Sequence, residues 1–94
     1  MRLKINVSQR DIQKGVPTSR SKCPIARACK RHKLSSVCVD PDRVWFVFGR
    51  RYYCSFLPKK ARQFTGAFDR GEKVKPFCFT LNPEALDPFK ETDD

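Results

Sequence analysis

The middle of the chain carries a pattern typical of a β-hairpin, and this pattern limits the possible folds more than any other feature. Two six-residue segments, Arg43–Phe48 and Arg51–Phe56, are rich in aromatic residues. Gly49 and Arg50 separate the two segments and predict a two-residue turn with glycine first. The side chains of the first segment alternate between two faces, with Val44, Phe46 and Phe48 on one and Trp45 and Val47 on the other.

Six further segments flank the hairpin, and their patterns indicate both strands and helices. The predicted strands are residues 2–7, 36–40 and 77–81, and the predicted helices are 9–14, 23–33 and the segment from Pro58 to Gly71. Ser8 and Ser21 are the expected N-caps of the first two helices. The order β-α-α-β-β-β-α-β predicts an α+β domain, in which a small, mostly antiparallel sheet of about four to five strands carries two to three helices on one face.

The aromatic residues are expected mainly in the core. A domain of 94 residues buries only roughly 60–65 % of the surface of its unfolded chain, and its core must come from a modest stock that includes eight Phe. The alternative for the hairpin is that one sheet face stays open, which would let Trp45 and Tyr53 stack on nucleic-acid bases. The residues predicted to point inward are Phe46, Phe64, Phe68, Phe77 and Phe79.

Charge is distributed unevenly along the chain. The net charge is +10, and residues 1–33 contain ten basic residues against Asp11 alone. The sign reverses in residues 77–94, where five acidic residues stand against Lys90. A positive potential of this size attracts polyanions, so the expected partner is nucleic acid, DNA or RNA, or an acidic surface of a protein.

The reversal of charge also predicts the domain organisation. We expect a single basic α+β domain over residues 1–81 and an acidic C-terminal tail over residues 82–94, with one short turn around Pro83–Leu86. No apolar stretch approaches the roughly 20 residues that a membrane span needs. Residues 1–15 contain no continuous hydrophobic run of the signal-peptide kind. The expected location is therefore cytoplasmic, without a membrane partner.

The basic residues outside the predicted core positions are candidates for binding phosphate groups. They come from the second helix and the loop before it, from the hairpin turn and from the third helix. Two aromatic residues of the hairpin complete the predicted binding set. Its members are Arg20, Lys22, Arg27, Lys30, Arg31, Arg50, Arg51, Lys59, Lys60, Arg62, Trp45 and Tyr53.

Cys23, Cys29 and His32 are the first residues to consider for metal binding or catalysis. Their spacing, C-x5-C-x2-H, lacks the tight ligand pair of structural zinc sites. A Cys29–His32 dyad is geometrically allowed on a helix, but no third residue accompanies it to orient the imidazole. The sequence therefore predicts no enzyme activity, no metal and no cofactor. The other cysteines lie in apolar strand segments and are expected to be buried: Cys38, Cys54 and Cys78.

Two stretches share a pattern with a known group of proteins. The matching positions are Asp11-Ile12-x-x-Gly15 with Cys23-Pro24-Ile25-Ala26-x-Ala28-x-x-Arg31, and Phe68-Asp69-x-Gly71-x-x-Val74-x-Pro76-Phe77-x-Phe79-x-Leu81. They resemble a group of small uncharacterised proteins of tailed bacteriophages. The resemblance implies a phage or prophage origin, expression inside an infected bacterium and a soluble single domain. It implies no activity and assigns no site residues.

Two functions fit these features. The first is a non-enzymatic nucleic-acid-binding protein that acts through the basic face of the second helix and the tip of the hairpin. The alternative is a phage-encoded inhibitor, in an anti-CRISPR-like or host-takeover role, that binds a bacterial protein or defence complex through the same basic surface. Binding to random DNA and RNA that falls as salt rises distinguishes the first function from the second.

Overall fold

Residues 2–86 are the part of the chain that this computed structural model describes, and they form three helices and six strands. In chain order these are β1 (Leu3–Val7), α1 (Gln9–Lys14), α2 (Pro24–Lys30), β2 (Ser35–Val39), β3 (Arg43–Phe48), β4 (Arg51–Phe56), α3 (Lys59–Asp69), β5 (Phe77–Leu81) and β6 (Glu84–Leu86). The predicted α+β class and the order β-α-α-β-β-β-α-β are confirmed, and one further strand, β6, follows them.

The strands divide between two antiparallel sheets, whereas the sequence suggested one. β1 pairs with β5, and the larger sheet has the strand order β2-β3-β4-β6. In the smaller sheet, Ile5 lies opposite Phe79 and both side chains are buried. α2 packs against β1 of one sheet and β2 of the other, and so joins the two.

The β3–β4 hairpin has the predicted bounds. Phe48 pairs with Arg51, so Gly49 and Arg50 form the two-residue turn. Gly49 has a φ of +65°, in the left-handed region that glycine adopts without a steric penalty. Because directly opposite residues share a face, this register decides which side chains of the two strands point outward.

Ser8 caps α1, as predicted, and the cap is reciprocal. The Ser8 hydroxyl accepts a hydrogen bond from the Asp11 backbone N–H at 3.1 Å, and Asp11 Oδ2 accepts one from the Ser8 backbone N–H at 2.9 Å. This capping box satisfies two backbone donors at the start of the helix. It also fixes the carboxylate of Asp11, which is fully buried.

The start of α2 differs from the prediction. Its N-cap is Cys23 and not Ser21, and Cys23 Sγ accepts a hydrogen bond from the Ala26 backbone N–H at 3.5 Å. Pro24 then occupies the first helical position, where its fixed φ suits the helix and its missing N–H leaves no bond unmade. The proline therefore sets the start of the helix two residues later than a serine cap would.

Gly15 allows α1 to end close to the start of α2. A Cβ atom at this position would lie 2.6 Å from Cδ of Pro24 and 2.7 Å from the carbonyl oxygen of Asp11. Non-bonded carbon atoms in contact lie about 3.5–4.0 Å apart. Any larger residue would push α1 away from α2, so glycine is required here by the packing of the two helices.

The core draws apolar side chains from both sheets and from α2 and α3. Phe64 of α3 packs against Phe77 of β5, with ring centroids 4.6 Å apart. Among the Phe residues predicted to point inward, three are buried and two are partly buried against the core. The buried ones are Phe46, Phe64 and Phe79, and the partly buried ones are Phe68 and Phe77.

The turn predicted around Pro83–Leu86 is wrong, because Glu84–Leu86 forms strand β6. β6 pairs with β4, with Leu86 opposite Tyr52 and Glu84 opposite Cys54. It therefore covers the edge of β4 that would otherwise expose unpaired backbone groups. Residues 87–94, the rest of the predicted acidic tail, lie outside the described residues.

Candidate nucleic-acid interface

A concave surface formed by α1, α2 and the loop between them is lined almost entirely by cations. Six of its seven lining residues are Lys or Arg, and its volume is about 600 Å³. We call this surface the basic groove. Its lining consists of Arg10, Lys14, Val16, Lys22, Arg27, Lys30 and Arg31.

A buried carboxylate anchors the arginines of the groove. Arg31 donates to both oxygens of Asp11, at 2.6 Å to Oδ1 and 2.7 Å to Oδ2. Arg31 also donates to the carbonyl oxygen of Asn6 at 2.7 Å. The buried Nε of Arg27 lies 3.6 Å from Asp11 Oδ1. The bidentate bond occupies the guanidinium group of Arg31. Arg31 therefore fixes the shape of the groove and adds positive charge to it, but it has few free donors to offer a ligand.

The charge of Asp11 follows from two opposed effects. Burial by itself raises the pKa of this carboxyl, since it disfavours the charged form. Hydrogen bonds from Arg31 and from the Ser8 backbone, with the positive charge of Arg31, outweigh burial and lower the pKa below its usual value of 3.8. Asp11 is therefore ionised at neutral pH, and six cations less one carboxylate leave the groove with a charge of +5.

The remaining cations of the groove keep their charges available. Arg10, Lys14 and Lys22 are exposed, and none of them forms an ion pair with any residue from 2 to 86. Lys30 Nζ donates to the carbonyl oxygen of Ser21 at 2.6 Å, which leaves its charge uncompensated. The sequence prediction missed Arg10 and Lys14, although their spacing of four residues on a helix places them on one side.

The structure brings four of the predicted basic residues into the groove and places Arg20 elsewhere. The four are Lys22, Arg27, Lys30 and Arg31. Arg20 donates to Asp40 through Nε, at 2.8 Å, and through a terminal guanidinium nitrogen. Asp40 Oδ2 also accepts a hydrogen bond from Trp45 Nε1 at 3.0 Å. The hydrogen bonds from Arg20 and, to a lesser extent, from Trp45 lower the pKa of Asp40. Since the same carboxylate binds both side chains, Arg20 helps to hold the indole in place.

The other predicted cations do not line the groove. Arg50 and Arg51 are exposed at the end of the β3–β4 hairpin. Lys59, Lys60 and Arg62 are exposed on α3. The sequence predicts one basic surface for all these cations, but the fold places only some of them together in the basic groove.

Tyr53, one of the two residues predicted to stack on bases, faces the core. It pairs with Phe46 in the ladder, and the two rings stack with centroids 5.6 Å apart. Tyr52 lies opposite Val47 on the outward face, and its side chain is 57 % exposed. Phe56 is 69 % exposed on that same face. Counting residue pairs outward from the predicted turn would have assigned Tyr52, and not Tyr53, to the open side.

The cysteines fall into a buried pair and three partly exposed residues. Cys23 and Cys29 are buried, and burial raises the pKa of Cys29 to about 12. The Cys29 thiol therefore stays protonated at neutral pH, which argues against a nucleophilic Cys29–His32 dyad. The prediction that the others are buried is wrong, because their strand positions turn them outward. These are Cys38, Cys54 and Cys78, all of intermediate exposure.

The end of α2 also differs from the prediction and moves His32 off the helix. The helix ends at Lys30, and residues 31–33 form a turn in which Lys33 has a φ of +61°. His32 lies in this turn, half-buried, and not within the helix that the sequence predicts over residues 23–33. Its backbone N–H still bonds the carbonyl oxygen of Cys29 at 3.0 Å.

Within residues 2–86, no cluster of three or more His, Cys, Asp or Glu side chains is placed to hold a metal ion. None of the described helices is both long and apolar enough to cross a membrane. Comparison with protein-family models, with curated proteins and with solved structures gives no match. The resemblance to proteins of tailed bacteriophages therefore stays a hypothesis.

Proposed function

We propose that this protein binds nucleic acid through the basic groove and performs no chemistry on it. The observation that carries the proposal is the lining of the groove, in which six of seven residues are cations and a single buried carboxylate offsets one of them. A concave cationic surface concentrates its field and attracts the regularly spaced phosphates of a polynucleotide.

The groove contains both anchored and exposed cations, and this combination supports binding to a phosphate backbone. Arg27 and Arg31 are held near Asp11 and give the groove a fixed shape. Arg10, Lys14 and Lys22 project exposed charges that can follow phosphates of varying position. Such contacts hold a phosphate backbone without identifying its bases, so the groove fits binding with little sequence preference.

The lining of the groove also supports a binding role over an enzymatic one. Its only lining residue that is not a cation is Val16, so the lining offers no hydroxyl, thiol, imidazole or carboxylate group to act as a nucleophile or general base. The neighbouring thiol, Cys29, is buried and protonated. A charged surface without such groups can hold a polyanion but cannot accelerate its cleavage by acid–base chemistry.

The dependence of binding on salt tests the proposal. Binding of fluorescent single strands and duplexes is measured by anisotropy from about 50 to 200 mM salt. If about five phosphates are neutralised, the slope of log K against log salt is about −3.5 for a single strand and about −4.5 for a duplex. Absence of binding at about 50 mM salt would overturn the proposal. In that case the alternative, a phage-encoded inhibitor that docks the same groove on an acidic bacterial protein, becomes the leading candidate.

Charge reversal locates the binding surface. The variant Lys14→Glu/Lys22→Glu changes two exposed groove residues, and we expect it to weaken binding at least about tenfold at low salt. Lys59→Glu/Lys60→Glu makes the same change of net charge on α3, outside the groove, and serves as the matched control. An equal loss in both variants would show that net charge, and not the groove, determines binding.

A further inference from the structure

The outward face of the larger sheet carries exposed aromatic side chains beside an arginine. The register places Trp45 and Val47 of β3 on the same face as Tyr52 and Phe56 of β4. Leu86 of β6 lies opposite Tyr52 and extends that face. We call this surface the aromatic face. It consists of Arg43, Trp45, Val47, Tyr52, Phe56 and Leu86, together with Cys38, Cys54 and the exposed Glu84, which the pairing of the strands places on the same side.

The exposure of this face is unusual for a small domain with few apolar residues to spare. Tyr52 is 57 % exposed, Phe56 is 69 % exposed and Leu86 is 39 % exposed. A group of adjacent exposed apolar side chains, as opposed to scattered ones, indicates a binding surface. These three residues contribute less to the core than their size would allow, so stability does not explain their placement.

The polar groups on this face hold its rings in fixed positions. The Arg43 guanidinium carbon lies 4.7 Å from the ring centroid of Phe56 and 5.8 Å from that of Trp45. Trp45 Nε1 donates to Asp40, and Arg20 holds Asp40 in turn. Rings that are already ordered lose little conformational entropy when a flat ligand stacks on them.

The chemistry of the face favours a nucleobase over an apolar protein segment as its occupant. Arg43 lies among the aromatic rings, and Arg50 is exposed in the turn at the end of the same hairpin, whereas Arg51 pairs with Phe48 on the opposite face. Aromatic rings interleaved with arginines match a single strand, because each nucleotide offers a flat base for stacking and a phosphate for a cation. An apolar partner would have to desolvate the pair formed by Arg43 Nε and Asp42 Oδ1, which lie 3.7 Å apart, and the exposed Glu84 carboxylate, which is costly.

We infer that the aromatic face binds unpaired bases, so that the preferred ligand of this protein is a single strand of nucleic acid. This inference rests on the proposed function, and it adds a second surface with a different chemistry. The basic groove needs only phosphates, whereas the aromatic face needs bases that are free of a duplex. Tyr52 and Phe56 are the principal stacking residues, since they are the most exposed aromatic side chains on the face.

The test compares oligothymidylate with an abasic strand of equal length, which keeps the phosphates and removes the bases. We expect the protein to bind the thymidylate at least about tenfold more tightly, since stacking on an aromatic residue contributes about 1–3 kcal/mol per base. The variant Tyr52→Ala/Phe56→Ala should bind both strands with the affinity that the intact protein has for the abasic strand. Its affinity for a duplex should stay unchanged.

Two controls separate stacking from other effects. Phe48→Ala removes an aromatic ring that is 41 % exposed on the opposite side of the same hairpin, and it should leave thymidylate binding unchanged. Trp45 is the only tryptophan, so its fluorescence reports directly on this face. Thymidylate should quench it and the abasic strand should not.

The outcomes distinguish this inference from the proposed function. Equal affinity for thymidylate and abasic strands, with no effect of Tyr52→Ala/Phe56→Ala, would overturn the inference and leave the groove proposal intact. Absence of binding to any strand at about 50 mM salt would overturn both. Self-association that the double variant abolishes would assign the face to a second copy of the chain, and that result would also overturn the inference.

Discussion

Arg31 binds both oxygens of the Asp11 carboxylate, at 2.6 and 2.7 Å, and thereby joins the end of α2 to the first turn of α1. Asp11 also closes the capping box of α1 with Ser8. The two helices supply most of the cations of the basic groove, so one ion pair positions residues that would otherwise repel one another. The stability of the fold and the shape of the proposed binding surface therefore depend on the same contact.

Replacement of Arg31 should destabilise the protein more than replacement of any free cation of the groove. Arg31→Ala leaves Arg27 as the remaining cation beside the buried Asp11, with 3.6 Å between Arg27 Nε and Asp11 Oδ1. We expect a loss of about 3 kcal/mol in the free energy of unfolding, at the low end for removal of one partner of a buried pair, because the Arg31 side chain is half exposed. Urea unfolding at neutral pH measures this loss, with Arg10→Ala as the exposed control.

A double-mutant cycle shows whether the loss comes from the pair. Asp11→Asn/Arg31→Ala removes the buried charge with its partner, so it should be less destabilising than the sum of the two single substitutions. A loss for Arg31→Ala below about 1 kcal/mol, which is typical of an exposed ion pair, would contradict the structural role given to Arg31.

The stability that Asp11 provides should be lost in acid. Its pKa is lower in the folded protein than the value of about 3.9 in an unfolded chain. A lowered folded pKa stabilises the protein fully above the unfolded pKa, and this contribution disappears as the pH falls through the folded pKa. Unfolding free energies of the wild type and Asp11→Asn should therefore differ most above about pH 5 and converge as the pH falls below about 4. A difference that does not change with pH would show that Asp11 is not ionised in the folded state.

The sequence predicts those parts of the fold that depend on neighbouring residues. The hairpin follows from Gly49 and the alternation on either side of it, and the start of α1 follows from Ser8. The Asp11–Arg31 pair joins residues twenty positions apart. It exists because α1 docks on α2, and Gly15 permits this docking by lacking a side chain. No local pattern of charges indicates such a contact.

One other difference has the same origin in tertiary structure. Glu84–Leu86 is short and follows a proline, so intrinsic propensity gives little reason to expect a strand there. It forms one because the edge of β4 offers unpaired backbone groups. The wrong choice of Tyr53 has a different origin, because the predicted two-residue turn already fixes the pairing of β4 with β3, and this pairing turns Tyr52 outward and Tyr53 towards the core.

The five thiols should react in two groups. Cys38, Cys54 and Cys78 are partly exposed and should react with an aromatic disulfide reagent in the native protein. Cys23 and Cys29 are buried, and burial raises the pKa of both. Since the thiolate is the reactive form, these two should react only when the protein unfolds. Fast native labelling of Cys29, identified by mass spectrometry, would contradict the structure of α2.

The acidic residues beyond β6 provide the last prediction, and two truncations test it. Removal of residues 87–94 takes away Asp87, Glu91, Asp93, Asp94 and Lys90, which raises the net charge from +10 to +13. If these carboxylates compete with phosphates for the basic groove, the truncated protein should bind nucleic acid more tightly at low salt. The gain should be less than about tenfold and should fade towards physiological salt, because exposed charges interact weakly and are screened.

The longer truncation, after Leu81, also removes β6 and uncovers the edge of β4. It should lower the free energy of unfolding. A full-length variant in which the four carboxylates of residues 87–94 become amides is the matched control, and it should reproduce the tighter binding without any change in chain length. Weaker binding after removal of residues 87–94, or by the amide variant, would contradict competition for the groove. If the carboxylates compete with phosphates, their removal strengthens the attraction between the groove and a polyanion.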